Sequence, residues 1–271
     1  MSDPSRLFAS TAHYYARYRP WYPAELFALL KDHFGLDGTQ TALDLGCGPG
    51  MVALPLAPLV ARVHAVDPEP GMLAEGRRLA DERDVRNIAW TRGDSTGLPS
   101  LGLPPIDLCV MAKSFHWMNG PQVLADLGTM VTADGGVVVA SAGPPGTTPL
   151  PGWAHVIADV RTAHLGPVRR AGTGVYPEPT DSFHETLERS PFPYVSTTTF
   201  EQHVERTLDE LVGIQFSNSY STTAQLGDDK DRFEADLRRA LIEHSPDGLF
   251  PELIRTEVLI ATRYRKERKP A

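Results

Sequence analysis

The sequence predicts an α/β fold built on a doubly wound, mostly parallel sheet. From residue 41 onward, short apolar runs alternate with helical patterns at a spacing that requires crossover connections. Several runs are apolar on both faces, as strands covered by helices on two sides must be. The first run, Ala42-Leu43-Asp44-Leu45, leads into a turn with glycines at 46, 48 and 50, the signature of a tight strand-to-helix bend.

The elements follow in order. Residues 1–40 precede the first strand and are rich in aromatics, with Phe8, Ala12, Tyr15, Arg19, Pro20, Tyr22 and Pro23 in one stretch. A helix begins at Pro23, which suits a first turn. Leu26, Phe27, Leu29 and Leu30 form its apolar stripe, and Gly35 and Gly38 close it. Strand one covers 41–45, and a helix follows over about 51–60, which Pro55 and Pro58 should kink or shorten. Strand two covers Arg62 to Asp67, with a helix from about 70 to 83. Strand three runs from Ile88 to Thr91, before Gly93-Asp94-Ser95. Strand four covers Ile106 to Ala112. A helix follows at about 121–131, then a turn at Ala133-Asp134-Gly135-Gly136 and strand five from Val137 to Ala140.

The rhythm then changes. Residues 143–195 are dense in proline and glycine, including Pro144, Pro145, Gly146, Pro177 and Pro179, with one helix expected at about 152–165. An insertion of this kind reads as a lid or substrate element. Residues 197–204 read as a strand, 208–216 and 229–244 as helices, and 256–264 as the last strand. The basic end, Arg263 to Lys269, reads as a solvated tail.

Composition narrows the function. The 271 residues are 41% hydrophobic and 22% charged, ordinary for a soluble globular chain. A net charge of −8 argues against a nucleic-acid partner, which needs a basic footprint. No window is apolar over the length needed to span a bilayer, and Met1 to Ser10 lack a signal-peptide core, so no membrane partner and a cytoplasmic location are expected. Cys47 and Cys109 read as small buried residues, and the nine histidines show no zinc spacing, so no metal is expected.

Three acids carry the chemistry. Asp44 stands two residues before the first glycine, Asp67 ends strand two and Asp94 follows strand three. Ligands of open α/β sheets bind outside the carboxyl ends of the strands, where all three would meet. The glycine spacing departs from the dinucleotide pattern, because Met51 occupies the place of its third glycine. A carboxylate beside the turn would repel a pyrophosphate but welcome an ammonium and a sulfonium. Taken singly, the glycines fit a turn with no ligand, and Asp67 before Pro68 fits a helix cap.

Asp44-Leu45-Gly46-Cys47-Gly48-Pro49-Gly50 resembles the first motif of class I S-adenosylmethionine-dependent methyltransferases, and Tyr15, Arg19-Pro20 and Tyr22-Pro23 resemble the leading segment of the small-molecule type. The resemblance implies a Rossmann-like, doubly wound, mostly parallel seven-stranded sheet with an antiparallel last strand, a helical N-terminal arm and an insertion after strand five. It implies one methyltransferase domain over 1–271. Within it lie an arm or lid (1–40), a cofactor-binding core (41–143), a substrate-side insertion (144–205), and helices with a closing strand (206–271). The implied cofactor is S-adenosyl-L-methionine. Gly46, Gly48 and Asp44 would lie against its methionine end, Tyr15 and Arg19 would reach it from the arm, Asp67 would accept the ribose hydroxyls, and Asp94 with Ser95 would meet the adenine. Met72, with Leu98 and Pro99, would wall the adenine, and Lys113, also a candidate cofactor contact, stands where the family carries a small or amide residue.

Phe115-His116-Trp117 is similar to the aromatic segment such enzymes carry near the sulfonium methyl, which makes His116 the candidate base, since imidazole titrates near working pH. A His bonded to backbone while Trp117 fills the core is the plain alternative. Tyr14, Tyr18, Trp21, Trp117, Trp153 and His116 are candidate acceptor contacts, with His13, His155, His164, Tyr176 and His184 as further members of a pocket. The expected activity is methyl transfer to an O, N or C atom of a small molecule by in-line displacement. The alternatives are a nicotinamide-dependent oxidoreductase and a cofactor-binding protein of this fold without methyl transfer.

Overall fold

The computed structural model describes residues 11–143, 148–171, 174–175 and 182–265. Phe8, Pro144, Pro145, Gly146, Tyr176, Pro177, Pro179 and Lys269 lie outside the described residues.

The chain enters through α1 (Ala12–Tyr18) and α2 (Ala24–Phe34), the latter ended by Gly35 in the left-handed conformation. Then come β1 (Thr41–Leu45), α3 (Ala53–Leu56), β2 (Arg62–Asp67), α4 (Pro70–Glu82), β3 (Ile88–Arg92), β4 (Ile106–Ala112), α5 (Gly120–Met130) and β5 (Val131–Ser141). After these follow α6 (Ala154–Leu165), a short hairpin of β6 (Arg170–Ala171) and β7 (Gly174–Val175), α7 (Phe183–Glu188), β8 (Tyr194–Thr207), α8 (Leu208–Phe216), α9 (Thr223–Leu226), α10 (Lys230–His244) and β9 (Leu249–Thr262).

Seven strands form one sheet in the order β3-β2-β1-β4-β5-β9-β8. The pairs β1–β2, β1–β4, β2–β3 and β4–β5 are parallel, and β5–β9 and β9–β8 are antiparallel. The order reverses between β1 and β4, so a crevice opens at the carboxyl ends of the central strands. Two apolar clusters hold helices to its faces. One gathers Leu26, Leu30, Leu56, Val63, Leu108 and Val138, and the other Leu43, Val66, Cys109, Phe115, Leu124 and Val139. Alternation along β1 explains the split, because neighbouring strand residues point to opposite faces.

Several expectations change in detail. The helix after β1 is only α3 plus a 3-10 turn at Ala57–Leu59, as Pro55 and Pro58 break the ladder. The expected turn at 133–136 lies inside β5, where the register with β4 shifts between Ile106 and Leu108. Asp107 fills the irregularity, accepting from the Thr132 hydroxyl at 3.0 Å and the Thr41 N–H at 2.9 Å. Both closing strands are longer than expected, because β8 and β9 pair over their full 14 residues while β9 meets β5 only from Glu257 onward. Arg263 is docked and not a solvated tail: its guanidinium donates to the carbonyls of Gly128 and Val131 and stacks on Phe192 at 4.9 Å.

The far end of the β8–β9 hairpin carries a third cluster. Trp153 and Ile157 of the α6 segment pack with Leu211, Val212 and Phe216 of α8, with Phe233, Leu237 and Leu241 of α10, and with Phe250. These helices form a cap beside the crevice. The N-terminal helix α1 lies between cap and core, packed on α8 and α4.

Candidate active site

The loop after β1 is pinned to β2 by two hydrogen bonds, from the N–H groups of Gly46 and Cys47 to the Val66 carbonyl at 2.8 and 3.0 Å. Gly46 has φ +74°, and a Cβ there would sit 2.5 Å from the Ser114 Cβ, so only glycine lets the loops after β1 and β4 close on each other. Ser114 completes the contact by donating to the Leu45 carbonyl at 2.7 Å. Gly48 has φ +52°, with no protein atom within 4 Å of where its Cβ would stand, so the turn presents bare backbone to open space.

That space is a cleft of about 1330 Å³, counting the solvent at its mouth. Asp44, Asp67 and Asp94 all line it, as do Tyr15, Arg19, Gly46, Gly48, Met72, Ser95, Lys113 and Trp117. Asp44 is 1% exposed, and its Oδ2 accepts from the Ala53 N–H at 2.9 Å at the start of α3. Burial pushes its carboxyl up to about 7, opposed by the Ala53 N–H and aided by the charge of Asp67. Asp67 is 8% exposed and ties the turn to the next helix, accepting from Gly48 N–H at 2.8 Å and Glu69 N–H at 2.9 Å. Burial pushes it up to about 6, against those two donors. The cap of α4 is Glu69, not Asp67, since the Glu69 carboxylate accepts from Gly71 N–H. Asp94 accepts from the backbone N–H groups of Thr96 and Gly97 in a local turn. A carboxylate oxygen has two lone pairs, so these acids keep acceptor capacity toward the cleft.

Arg19 enters from the segment after α1. Its guanidinium sits over the Tyr15 ring at 5.2 Å, and its Nε donates to Ser217 Oγ at 2.8 Å and its Nη2 to Asn218 Oδ1. The arm, the cap and the cleft therefore meet at one side chain. Burial raises the phenol pKa of both Tyr15 and Tyr22. Lys113, at the carboxyl end of β4, has φ +52°, a conformation that costs a non-glycine residue on the order of 1–2 kcal/mol.

Other sequence candidates fall elsewhere. Tyr14 packs on Phe216, with ring centroids 5.2 Å apart, and Tyr18 lies against Gly213, so both serve the arm–cap contact. Trp21 lies under the Arg83 guanidinium at 4.3 Å. Trp153 is buried in the cap and donates to the Pro251 carbonyl at 3.0 Å. Leu98 is core beneath the sheet. His116 sits on the 3-10 turn Phe115–Trp117 against the Trp117 ring, outside the cleft lining. Burial pushes its imidazole down to about 4, so the expectation of a ring titrating near neutrality does not hold. The cleft adds residues that the motifs did not single out, including Val52, Glu69, Thr96 and Asn119. Most stand within a few positions of a motif residue, at the same strand ends, and that adjacency is the signal that could have found them.

Residues 42–135 match the family model of a methyltransferase domain. The chain is 27% identical over 127 residues to the "Probable S-adenosylmethionine-dependent methyltransferase CRG1" of Saccharomyces cerevisiae, covering 46% of this chain and 43% of that one. It is 29% identical over 120 residues to the ubiquinone biosynthesis O-methyltransferase of Azorhizobium caulinodans, covering 42% and 47%. The solved YcgJ protein of Bacillus subtilis superposes with a TM-score of 0.54 at 13% identity over 90% of this chain and all of that one, a likeness of fold. The chain spans a little under half the length of the curated relatives it matches. The glycine turn and the three acids around one cleft all fall within residues 42–135, the stretch that matches a methyltransferase domain and is similar to S-adenosylmethionine-dependent methyltransferases.

Proposed function

We propose that this protein transfers a methyl group from S-adenosyl-L-methionine to an O, N or C atom of a small organic molecule. The observation that carries the reading is the convergence of Asp44, Asp67 and Asp94, from three successive parallel strands, on a cleft floored by the Gly46–Gly48 turn. The donor set fits the group: hydroxyls, an amine and a sulfonium all seek carboxylates.

When bound, the cofactor supplies an already activated methyl group. The chain's residues bind, orient and shield. Gly46 and Gly48 let the ligand lie against backbone. Asp67 accepts the ribose hydroxyls, and Asp94 and Ser95 meet the adenine edge. Asp44 holds the methionine end through its electrostatic field. Arg19 donates to the carboxylate while Ser217 and Asn218 hold its guanidinium in place. Met72, Tyr15, Tyr22 and Trp117 give the cleft apolar walls that exclude water. Positioning the acceptor in line with the breaking bond supplies much of the acceleration, and effective molarities of well-oriented reactants reach about 10⁵ M or more. The similarity to a ubiquinone biosynthesis O-methyltransferase supports a small acceptor.

Calorimetry with S-adenosylhomocysteine tests the site. Asp67→Ala should weaken binding at least about tenfold, the equivalent of ~1.4 kcal/mol for one strong hydrogen-bonded contact. An affinity equal to wild type would remove the ribose assignment.

A further inference from the structure

Lys113 stands apart from the acids. Its side chain lines the cleft, and its ammonium lies 6.0 Å from the centroid of the Tyr22 ring. Among the described residues its ammonium has no hydrogen bond or ion pair to a protein group, while its backbone N–H donates to the Ala140 carbonyl. The charges that act on it are those of Arg19, Glu252 and Arg206, and none of the three acids that ring the cofactor end is among them. The one carboxylate in that set, Glu252, is already bonded to Arg206 Nε at 2.8 Å in a pair that is largely buried. Arg19, for its part, spends hydrogen bonds on two neutral side chains, Ser217 and Asn218. Among the described residues, the Lys113 ammonium thus feels the repulsion of Arg19 and Arg206, and the one carboxylate that acts on it is already paired.

Burial lowers the Lys113 ammonium to about 8, with the repulsion of Arg19 and Arg206 acting the same way and Glu252 opposing. A partly buried ammonium repelled by neighbouring guanidinium groups is unfavourable until an anion enters. The backbone adds to the cost, since a lysine held at φ +52° gives up the ease a glycine or asparagine would have there. Tyr22, whose ring lies beside the ammonium, lines the same cleft and carries a hydroxyl that can donate to an oxyanion.

We propose that Lys113 is a specificity residue that anchors a carboxylate on the methyl acceptor, so that the acceptor is an organic acid. The inference rests on the reading of the cleft as a cofactor site. Within that reading Arg19 serves the carboxylate of the cofactor and Lys113 is left for the acceptor. The ammonium need not release a proton in this role; it neutralises and orients.

The test uses S-adenosylhomocysteine-loaded protein as wild type, Lys113→Arg and Lys113→Asn, the last chosen because asparagine tolerates the backbone conformation. Benzoate, cinnamate and octanoate are titrated beside their primary amides. At least one carboxylate should bind wild type about tenfold or more tighter than its amide. Lys113→Arg should keep that preference and Lys113→Asn should lose it, with S-adenosylhomocysteine affinity within about twofold of wild type in both. No preference for any carboxylate, or a preference that survives in Lys113→Asn, overturns the proposal. A tenfold loss of S-adenosylhomocysteine affinity in Lys113→Asn overturns it too, by giving the ammonium to the cofactor. Wild type that fails to bind S-adenosylhomocysteine would instead refute the cofactor reading beneath it.

Discussion

At the scale of single residues, the site is expensive to fold. Asp44 and Asp67 are buried beside each other, and burial raises both carboxyls, to about 7 and about 6. An acid whose folded pKa lies above its unfolded value binds more protons when folded, so its ionisation favours the unfolded chain. The penalty is absent below about pH 4, grows as the unfolded chain ionises first, and is complete above about pH 7. Asp44→Asn keeps an oxygen for the Ala53 N–H and removes the charge. The ligand-free variant should therefore gain roughly 1–3 kcal/mol over wild type at about pH 8 and nothing at about pH 4, read from urea midpoints. A gain that is the same at both pH values would show that ionisation is not the source of the cost. The acids are legible in the sequence because each ends a strand, and chain geometry alone carries strand ends of a parallel sheet to one crevice. His116 is not legible in the same way. Its ring is neutral because of what surrounds it, and desolvation is set by tertiary packing that no local pattern displays. Tyr14, Tyr18, Trp21 and Trp153 pack elsewhere for a related reason: an aromatic ring has several faces to pack against, and the α8 residues that receive Tyr14 and Tyr18 lie roughly 200 positions away.

At the scale of elements, regular periodicity reads well and irregularity does not. The strands β1, β2 and β4 fall where their apolar runs place them. The break at Ala57–Leu59 follows from prolines visible in the sequence. The continuation of β5 through Gly135 and Gly136 does not, because glycines that suggest a turn are here required by close packing: a Cβ at Gly136 would meet the Ala261 carbonyl at 2.7 Å. The length of the β8–β9 hairpin is equally hidden, since strands pair with each other and not with their own sequence. Within the cap, His164 at the end of α6 bridges to the α10 segment. Its Nδ1 meets the Asp229 carboxylate and its Nε2 lies 3.1 Å from Asp236 Oδ2. The ring is almost fully buried while both acids keep some solvent, which discounts each bond. His164→Ala should cost about 2 kcal/mol, seen as a melting temperature lower by roughly 4–8 °C. A melting temperature equal to wild type would mean that the bridge only decorates a contact made by the apolar residues around Phe233.

At the scale of the whole molecule, the floor of the cleft and the contacts that hold its rim differ in how they are built. The floor is made by the sheet, whose topology the sequence announces. The rim is held where the arm meets the cap, and depends on contacts between segments roughly 200 residues apart. Arg19 is the residue at that junction, held by Ser217 and Asn218 in a stretch of buried polar side chains that continues through Ser219, Ser221 and Thr222. Buried polar groups are stable only when bonded, and Arg19 supplies hydrogen bonds to Ser217 and Asn218 of this stretch. It follows that residues outside the cleft lining should control affinity inside it. The double variant Ser217→Ala, Asn218→Ala leaves every cleft residue in place but frees the guanidinium. S-adenosylhomocysteine should then bind about three- to tenfold more weakly, which corresponds to roughly 0.7–1.4 kcal/mol of lost preorganisation. Amide hydrogen exchange in α1 should speed up in parallel, because that helix is held to the cap on the same side. Weaker binding with unchanged exchange would localise the effect to the Arg19 side chain. If neither quantity moves, arm and cap are independent of the cleft, and acceptor choice has to be sought within the sheet alone.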